Sequence, residues 1–450
     1  MYVAPRRSLR LAGLGALALG ALLLAPQVAP HGHRALVAGA AVIGLALAAA
    51  GAALLVRWPW LLVLGTLACL PRRIPVHLGS TTANLLVPVY GVVVAGVFAL
   101  LWEELHGPPR ARELGPLALP LAAFVLWSGS SLLWTQDLHD GAVELLFFHL
   151  PFGFVALAVA RLEPDRRWLL ALYGQLVLMA LAFAAVGVYQ YATRDVFWSP
   201  EAIAGNAYAP FFRAHSVFYD PSVYGRFLTV AILATVVLAF DALSLRRFAA
   251  AAVVVALTWV GLIVSFSESS FVALATGVVV AAALTWGRGA VAAIALAATV
   301  VVVAGFVAPR GGRSRAALEH SAGDRFRVVG NGIHIALAHP VAGVGVGAFK
   351  HAYAKRLHLV GRLPNRAASH DTPVTVAAET GVVGLALLAR LWAVSFAVPL
   401  RLRTAESRIV GVSVVAIAVH SLFYNAFFED PMVWGLFGLA ALLARREARA

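Results

Sequence analysis

Long apolar stretches separated by short polar segments recur along the whole chain. Most of them contain roughly 17–25 residues, the length that a helix needs to cross the hydrocarbon core of a bilayer. The third stretch is short, and only the polar segment "SFSESS" divides the block 247–286, so the pattern predicts twelve to fourteen spans. The candidate spans are 11–29, 35–56, 58–71, 84–103, 115–135, 143–161, 167–190, 224–242, 247–265, 270–286, 289–308, 374–399, 407–425 and 431–444.

The composition narrows the fold class. Hydrophobic residues make up 61% and charged residues 12% of the 450 residues, whereas soluble proteins carry about 25% charged residues. We therefore predict an all-α polytopic membrane protein in which residues 1–450 form one integral-membrane domain. The first apolar stretch lacks a convincing A-x-A cleavage site and further stretches follow it, so we expect no cleavable leader.

The distribution of arginine sets the predicted orientation. The net charge is +14, and the basic cytoplasmic loops of membrane proteins account for it without a nucleic-acid partner. With fourteen spans the short basic segments all fall on one side, which is then the cytoplasm, and both termini lie there. These segments are "APRRSLR", "GPPRARE", "RLEPDRR", "LRR" at 245–247, "RLRTAESR" and "ARREARA". The single cysteine, Cys69, excludes a disulfide framework and a cysteine-based metal site.

Two long connections, 191–223 and 309–373, are predicted on the outer side. The second carries ten Lys and Arg against three Asp and Glu. It exceeds the loop length over which charge sets orientation, so its charge indicates an anionic ligand. Apolar positions between residues 328 and 337 predict an amphipathic helix on the outer membrane face, ended by Pro340. The following "GVGVGAF" lacks the GK[ST] of a nucleotide-binding loop and predicts a tight turn.

The stretch "SHDTPVTVAAETGVVGL", residues 369–385, places a titratable pair where the second outer loop meets a span. A lone histidine at the start of a helix is usually structural, but a histidine also titrates near neutral pH and can accept a proton. Both roles are open for His370 from its own position. Asp371 is expected to cap the helix that follows, because aspartate is a good N-cap and favours the positive end of the helix dipole.

The same stretch continues into the span with small and acidic residues. Gly381 and Gly384 lie one turn apart, and small residues on one helix face let membrane helices approach closely. We therefore expect them to pack the helix that carries His370 against a neighbour. Glu379 lies a similar distance inside the span, either as the partner of an arginine or as a site residue. No H-x₃-H or H-E-x-x-H spacing occurs on a helix, so no metal is predicted.

The stretch "RFRVV…AHPVAGVGVGAFKHAY…SHDTPVTVAAETGVVGLALL" resembles the O-antigen ligase and polymerase superfamily, bacterial membrane glycosyltransferases that act outside the cytoplasmic membrane. The family signature is a histidine, then Asn, Ser or Gln, nine residues, and GxxG. Here His370, nine residues from Thr372 to Thr380, Gly381 and Gly384 fit that signature, with Asp371 in the second place. Three further blocks resemble the family: "PLALPLAAFVLWSGSSLLWTQD", "FRAHSVFYDPSVYGRFL" and "AHPVAGVGVGAF".

Two further positions depart from the family pattern. Glu268 in "SFSESS" stands where the family often has an arginine, and Val329 stands where the family has a tryptophan after Arg325. The resemblance extends from about residue 115 to the C-terminus and implies a multi-pass protein of the bacterial inner membrane with a periplasmic active site. It implies no cofactor.

The resemblance also implies a reaction and roles for particular residues. The donor would be a polyprenyl-diphosphate-linked glycan, and the acceptor a sugar hydroxyl of lipid A–core. His370 would act as base, while Arg213, Arg325 and, in reserve, Arg327 would hold the diphosphate without a metal ion, because guanidinium matches phosphate oxygens. The residues of possible support are Asp371, Glu379, Glu268 and Asp220.

Other functions stay open on the sequence alone. A polymerase that extends the glycan on its own carrier shares the same motif, and so do protein O-oligosaccharyltransferases. A transporter or flippase of lipid-linked glycans is the alternative of a different class, and it would spread charges along the spans and show repeated halves. Here the charges gather at one face and no repeat is evident, which favours an enzyme.

Overall fold

Most of the apolar stretches are helices in the computed structural model. The structure describes residues 34–71, 73–78, 81–107, 113–197, 212–241, 244–287, 315–359 and 369–449, with short pieces at 15, 19–27, 203 and 206. The predicted span 289–308 and the segment 309–314 that follows it lie outside these residues.

The described part of the chain contains helices α1 to α15 and one hairpin of strands β1 and β2. A π-helical turn, Leu145–His149, joins α5 to α6 without a break. The bounds are α1 Arg34–Arg57, α2 Leu61–Cys69, β1 Ile74–Leu78, β2 Thr81–Leu85, α3 Val87–His106, α4 Ala118–Ser130, α5 Leu138–Glu144, α6 Leu150–Arg161, α7 Arg166–Thr193, α8 Pro221–Phe240, α9 Leu245–Ser265, α10 Glu268–Trp286, α11 Arg315–Ala338, α12 Phe349–Arg356, α13 Thr372–Arg401, α14 Ala405–His420 and α15 Pro431–Arg449.

Eight helical segments among the described residues are long and apolar enough to cross a membrane. This confirms the predicted all-α polytopic membrane class. The predicted spans 35–56, 407–425 and 431–444 are also helical, as α1, α14 and α15. The stretch 58–71, already noted as short, contains only the nine-residue α2, about 14 Å long at 1.5 Å per residue. This helix is too short to cross the hydrocarbon core, so the prediction of a span here is wrong.

The antiparallel hairpin β1–β2 was not predicted. It occupies the polar interval between the third and fourth apolar stretches, with Ile74 opposite Leu85 and Leu78 opposite Thr81. Its position matters because Arg73, immediately before β1, reaches into the bundle. The hairpin therefore places a cation at the same end of the molecule as the two outer loops.

Helix α8 is the centre of the bundle. In its most apolar window 78% of the residues are buried, the highest value among the eight membrane-spanning segments, and it contacts α7, α9, α10 and α14. The residues from Ser222 to Thr235, more than half of the helix, are buried without interruption. A charged residue on this helix must therefore find its partner inside the protein.

The opposite end of the bundle holds a buried cluster of charged residues. Arg161, at the end of α6, donates to Glu104 at 2.7 Å and to Glu113 at 3.2 Å, and it pairs with Glu103 at 3.4 Å. These contacts fix the connection between α3 and α4 to the end of α6. The two ends of the bundle thus differ in chemistry, and the predicted site residues lie at the other one.

Helix α13 is broken at Gly381, contrary to the interpretation of Gly381 and Gly384 as two positions on one face of a continuous helix. Gly381 has φ 68° and ψ −169°, a conformation outside the helical region. A Cβ atom at this position would lie 2.0 Å from the Val341 carbonyl oxygen. Only Gly384 packs as expected from within a helix, with its Cα hydrogens facing Thr380 and Trp127.

The glycine-rich turn after α11 satisfies the backbone groups that the break releases. The amides of Val344 and Gly345 donate to the carbonyls of Ala378 and Glu379 at 3.0 and 2.8 Å. In return, the amide of Val382 donates to the Pro340 carbonyl at 2.8 Å. Within a bilayer such groups have no water to bind, so non-helical backbone survives only where protein covers it. The predicted tight turn is confirmed, and its function is to complete α13.

Close backbone approach explains why glycines occupy this turn. Gly343, Gly345 and Gly347 have φ angles of 69°, 93° and 76°, where residues with a Cβ are rarely found. A Cβ at Gly343 would lie 2.2 Å from the carbonyl carbon of Glu379. The helix before the turn ends at Ala338, two residues before Pro340, as the sequence predicted.

We expect Gly381→Ala to destabilise the protein strongly. The substitution forces a Cβ into the Val341 carbonyl and a side chain into a left-handed conformation, and such strain exceeds the usual cost of about 1 kcal/mol for a point mutation. Thermal unfolding of the purified protein in detergent measures the effect.

Gly174→Ala is the matched control. Gly174 lies in α7, and an added Cβ there meets nothing within 4 Å. That change should leave stability unchanged or raise it by up to about 1 kcal/mol, because alanine favours helix over glycine. Equal changes in stability in the two variants would contradict the conclusion that the break at Gly381 requires a glycine.

Candidate functional site

The segment from Ser369 to Thr372 is held tightly at the start of α13. The Ser369 hydroxyl donates to the Asp371 carbonyl at 2.8 Å and lies 2.9 Å from the Thr375 hydroxyl. The amide of Thr372 donates to the Ser421 carbonyl at 2.9 Å. Between these anchors, His370 is half-buried with φ 66°. A left-handed residue fixed from both sides presents its side chain in a set direction.

The neighbours of His370 have structural roles that the contacts define. Asp371 accepts from the Val374 amide at 2.8 Å, which confirms the predicted N-cap of α13. Burial raises the pKa of Asp371, although the bond from the Val374 amide opposes the rise. Glu379 is buried and accepts from the amides of Phe349 and Gly347. Among the described contacts Glu379 therefore binds backbone amides of the loop, and none of its partners is an arginine.

Arg213 and Asp220 lie together at the start of α8. The Arg213 guanidinium donates to the Ser265 carbonyl at 3.3 Å and reaches the Ser222 hydroxyl at 3.5 Å. Asp220 caps α8 by accepting from the Ser222 amide at 2.6 Å. The family-like element "DPSVYG" therefore positions Arg213 through the first turn of α8.

The three other candidates lie on α10 and α11. Arg325 lies in α11, and its side chain is outside the described residues. Arg327 is exposed on the same helix. Glu268 begins α10 and is half-buried, directly after the turn at Phe266 that presents the Ser265 carbonyl to Arg213.

Arg73 is a buried cation that the sequence did not single out. Its side chain is 5% exposed and pairs with Glu429 at 3.2 Å. The guanidinium also lies 4.4 Å from the centre of the Tyr219 ring, a cation–π contact. The signal that could have found it is the pair of arginines in "PRR", residues 71–73, directly after an apolar stretch.

Arg226 is the second cation that sequence reasoning missed, although it lies within the family-like block around Asp220. It sits inside α8 and pairs with Asp430 at 2.8 Å, with side-chain exposures of 2% and 8%. It also donates to the Ala426 carbonyl at 3.2 Å. Because a charge at membrane depth is costly, a buried arginine that follows an Asp-Pro helix start was a signal that could have been used.

Two tyrosines join the first outer loop to the segment between α14 and α15. The hydroxyls of Tyr219 and Tyr424 are 3.0 Å apart. Burial raises the pKa of Tyr219 to about 12, even though Arg73 beside it opposes the rise. Burial likewise raises the pKa of Tyr424 well above its ordinary value. Both hydroxyls therefore stay protonated and can donate hydrogen bonds at neutral pH.

The connection 421–430 is the common contact of both outer loops. Thr372 donates to the side chain of Asn425 at 2.8 Å, next to Tyr424, which meets Tyr219. Glu429 and Asp430 then hold Arg73 and Arg226. The predicted outer residues thus converge on one end of the bundle, where the connection 421–430 contacts both the segment of His370 and the first outer loop.

A small cavity of about 40 Å³ lies beneath this end. Three glutamates line it: Glu144 from α5, Glu379 from α13 and Glu429 from the connection 421–430. Thr375 and Asn425 also line it, so its wall is continuous with the segment that holds His370. The arrangement combines an imidazole, buried guanidinium groups and carboxylates at one membrane-proximal end, which suits the recognition of a phosphate group next to an acid–base reaction.

A comparison with protein families bears on which function this chemistry serves. Residues 232–389 match the family model described as O-antigen ligase. The resemblance to the O-antigen ligase superfamily is thereby confirmed. The matched region contains His370, Gly381, Gly384, Glu379 and the glycine-rich turn, so the O-antigen ligase match and the structure concern the same elements.

The match is narrower than the resemblance drawn from sequence blocks. It begins within α8 and ends within α13, so Arg73, Arg213, Asp220 and the connection 421–430 lie outside it. No curated protein matches the chain. The match over residues 232–389 therefore supports a ligase- or polymerase-type function in a membrane setting.

We expect Asp430→Asn to destabilise the protein by about 3–5 kcal/mol, because it leaves the Arg226 guanidinium buried without a charge partner. Thermal or denaturant-induced unfolding of the purified protein in detergent measures the loss of stability. The double variant Arg226→Met with Asp430→Leu replaces the pair by apolar side chains and should recover a large part of that loss. A double variant no more stable than Asp430→Asn would contradict this account of the pair.

Proposed function

We propose that the protein transfers a glycan from a polyprenyl diphosphate donor to a sugar hydroxyl of lipid A–core, as an O-antigen ligase. The proposal is supported most directly by the family match over the segment that fixes His370, together with the convergence of Arg213 and the connection 421–430 on the same end of the bundle. A lipid-linked donor fits such a place, since its hydrocarbon chain stays in the bilayer while the diphosphate lies at the membrane edge.

The proposed reaction divides its chemistry between His370 and the arginines. The acceptor hydroxyl oxygen attacks the anomeric carbon of the donor and gives its proton to the His370 ring. The bond between that carbon and the diphosphate oxygen breaks, and the electron pair leaves with the diphosphate. Arg213, with Arg325 and Arg327 from α11, stabilises the negative charge that develops there. In this proposal the arginines neutralise the leaving group without a metal ion.

Asp220 and Asp371 take supporting roles in the proposal through the helix starts that they cap. Asp220 sets the first turn of α8, which positions Ser222 beside Arg213. Asp371 sets the first turn of α13 and thereby the direction of His370. Glu379 holds the glycine-rich turn, and Glu268 follows the turn that presents Ser265 to Arg213.

We place this end of the bundle on the periplasmic side of the bacterial inner membrane, with both termini cytoplasmic. The asymmetry of the short basic loops supports this orientation. The long basic loop and the aspartates that cap α8 and α13 lie at the end of the bundle opposite to those short loops, which agrees with it. Polymerisation of the glycan on its own lipid carrier is the alternative, since the same family and site serve both reactions.

Cysteine labelling tests the orientation. In a Cys69→Ser background, a cysteine introduced by His351→Cys at an exposed position of α12 should react with a membrane-impermeant maleimide added to intact spheroplasts. A cysteine introduced by Glu447→Cys, exposed near the end of α15, should react only after the membrane is opened. The reverse pattern would place the site in the cytoplasm.

Transfer by the purified protein tests the reaction and the role of His370. We expect His370→Ala to lower the transfer rate by about 10²–10⁴-fold, the usual contribution of a general base. Arg213→Ala should also lower transfer, and Arg213→Lys should restore it only in part, because an ammonium lacks the planar fork of guanidinium. The assay offers a polyprenyl diphosphate glycan together with either lipid A–core or a second carrier-linked glycan.

The control for these variants is His351→Ala, which removes an exposed histidine from the same loop and should leave the rate unchanged. Product on lipid A–core supports the ligase, whereas a longer carrier-linked glycan supports the polymerase. Full transfer by His370→Ala would exclude the base role while leaving the family function intact.

A further inference from the structure

A cavity of about 320 Å³ lies among the helices of the bundle. Its walls come from α2, α6, α7, α8, α14 and α15. Along α15 the lining residues extend from Pro431 to Leu443, a distance of about 18 Å at 1.5 Å per residue. The cavity is therefore long and narrow, and it follows the direction of the membrane-spanning helices.

The cavity is apolar along its length and polar at one end. Leucines and valines dominate the lining, whereas Arg166 and Glu406 line the end at the starts of α7 and α14. Arg166 and Leu170 are both exposed, with Leu170 55% exposed. The cavity is thus open at this end, where α7 leaves the bilayer.

Gly435 shows that the cavity is more than loose packing. It lines the cavity from α15, and a Cβ built on it meets nothing within 4 Å. Protein interiors hold few voids larger than a water molecule, because an unfilled void forfeits the dispersion contacts of its lining. An apolar space this large, next to lipid, favours a hydrocarbon occupant.

We propose that this cavity binds one acyl chain of a phospholipid whose phosphate contacts Arg166. The apolar, elongated walls suit the chain, and the arginine at the open end suits the phosphate. Arg167, Arg401 and Arg403 are exposed around the same end and add positive charge. Glu406 lines this end as well. The head group that fits therefore places its phosphate next to Arg166 and carries no second negative charge next to Glu406.

The occupant differs from the proposed glycan donor. Leu70, Pro431 and Met432 line both the far end of the cavity and a separate small pocket around Arg73. They form the wall between the cavity and the site at the other end. A donor chain anchored near Arg213 would have to displace them, whereas a phospholipid chain enters from the Arg166 end. The proposal therefore stands independently of the proposed function.

The bound acyl chain would stabilise the position of the connection 421–430 at the proposed site. Pro431 and Met432 directly follow Asp430, the partner of Arg226. A chain that fills the cavity packs against the first turn of α15 and so against the connection 421–430. The composition of the surrounding phospholipid would then act on the position of Arg226 and Arg73.

Photolabelling tests the proposal with the full chain in bilayer nanodiscs. The probe is phosphatidylethanolamine with a diazirine near the end of one acyl chain, and labelled peptides are mapped by mass spectrometry. We expect labels within α14 and α15, at residues that line the cavity. Gly435→Phe should reduce this labelling about tenfold or more by filling the space, equivalent to at least about 1.4 kcal/mol of binding free energy.

Matched variants make the result specific. Gly174→Phe adds the same side chain at an exposed position of α7 and should leave cavity labelling unchanged. Arg166→Glu should reduce labelling about tenfold, whereas Arg167→Glu, one residue along and outside the lining, should reduce it much less. If Gly435→Phe does not fold, Ala234→Ile fills the same cavity from the part of its wall that α8 forms.

Three outcomes would overturn the proposal. Labelling that persists in Gly435→Phe or Ala234→Ile would place the probe outside the cavity. Equal effects of Arg166→Glu and Arg167→Glu would remove the assigned phosphate contact. Displacement of the phospholipid from the cavity residues by a photoreactive polyprenyl diphosphate, at equal concentration, would show that the donor chain is the occupant.

Discussion

The break of α13 at Gly381 is the constraint on which the rest of this end of the molecule depends. A helix interrupted at membrane depth exposes carbonyls and amides that water cannot reach, and each would cost several kcal/mol if left unpaired. The segment 340–345 supplies the missing partners. The long basic loop is therefore anchored into the bundle at the point where α13 gives way, close to the turn that carries His370.

The buried ion pairs at the same end of the bundle depend on this anchoring of the loop. Once α13 and the loop are joined, the connection 421–430 can receive Thr372 on one side and Tyr219 on the other. Its acidic residues then neutralise the buried Arg73 and Arg226. Buried ion pairs of this kind contribute little net stability but fix geometry when both partners are present. Here they fix the floor of the proposed glycan-transfer site.

The sequence predicted the elements that depend on local chemistry. The end of α11 before Pro340 and the cap at Asp371 need only nearby residues, and both are confirmed. The break at Gly381 was missed because membrane helices tolerate glycine, so the residue alone does not mark a break, and its partners lie some forty residues upstream. Arg73 was missed for a similar reason: its partner Glu429 is 356 residues away. The site's ion pairs depend on tertiary contacts, which periodicity does not report.

The broken helix also explains why the number of residues between Asp371 and Gly381, which is nine, matters. They form a short helical rod fixed at one end by its cap and at the other by the glycine-rich turn. Each residue of a helix advances it by about 1.5 Å and turns it by about 100°. Inserting or deleting one residue would therefore rotate the histidine turn by about a quarter of a revolution relative to the rest of the bundle. The number of residues between Asp371 and Gly381 therefore sets the orientation of His370 relative to the bundle, and the fold requires that number to stay fixed.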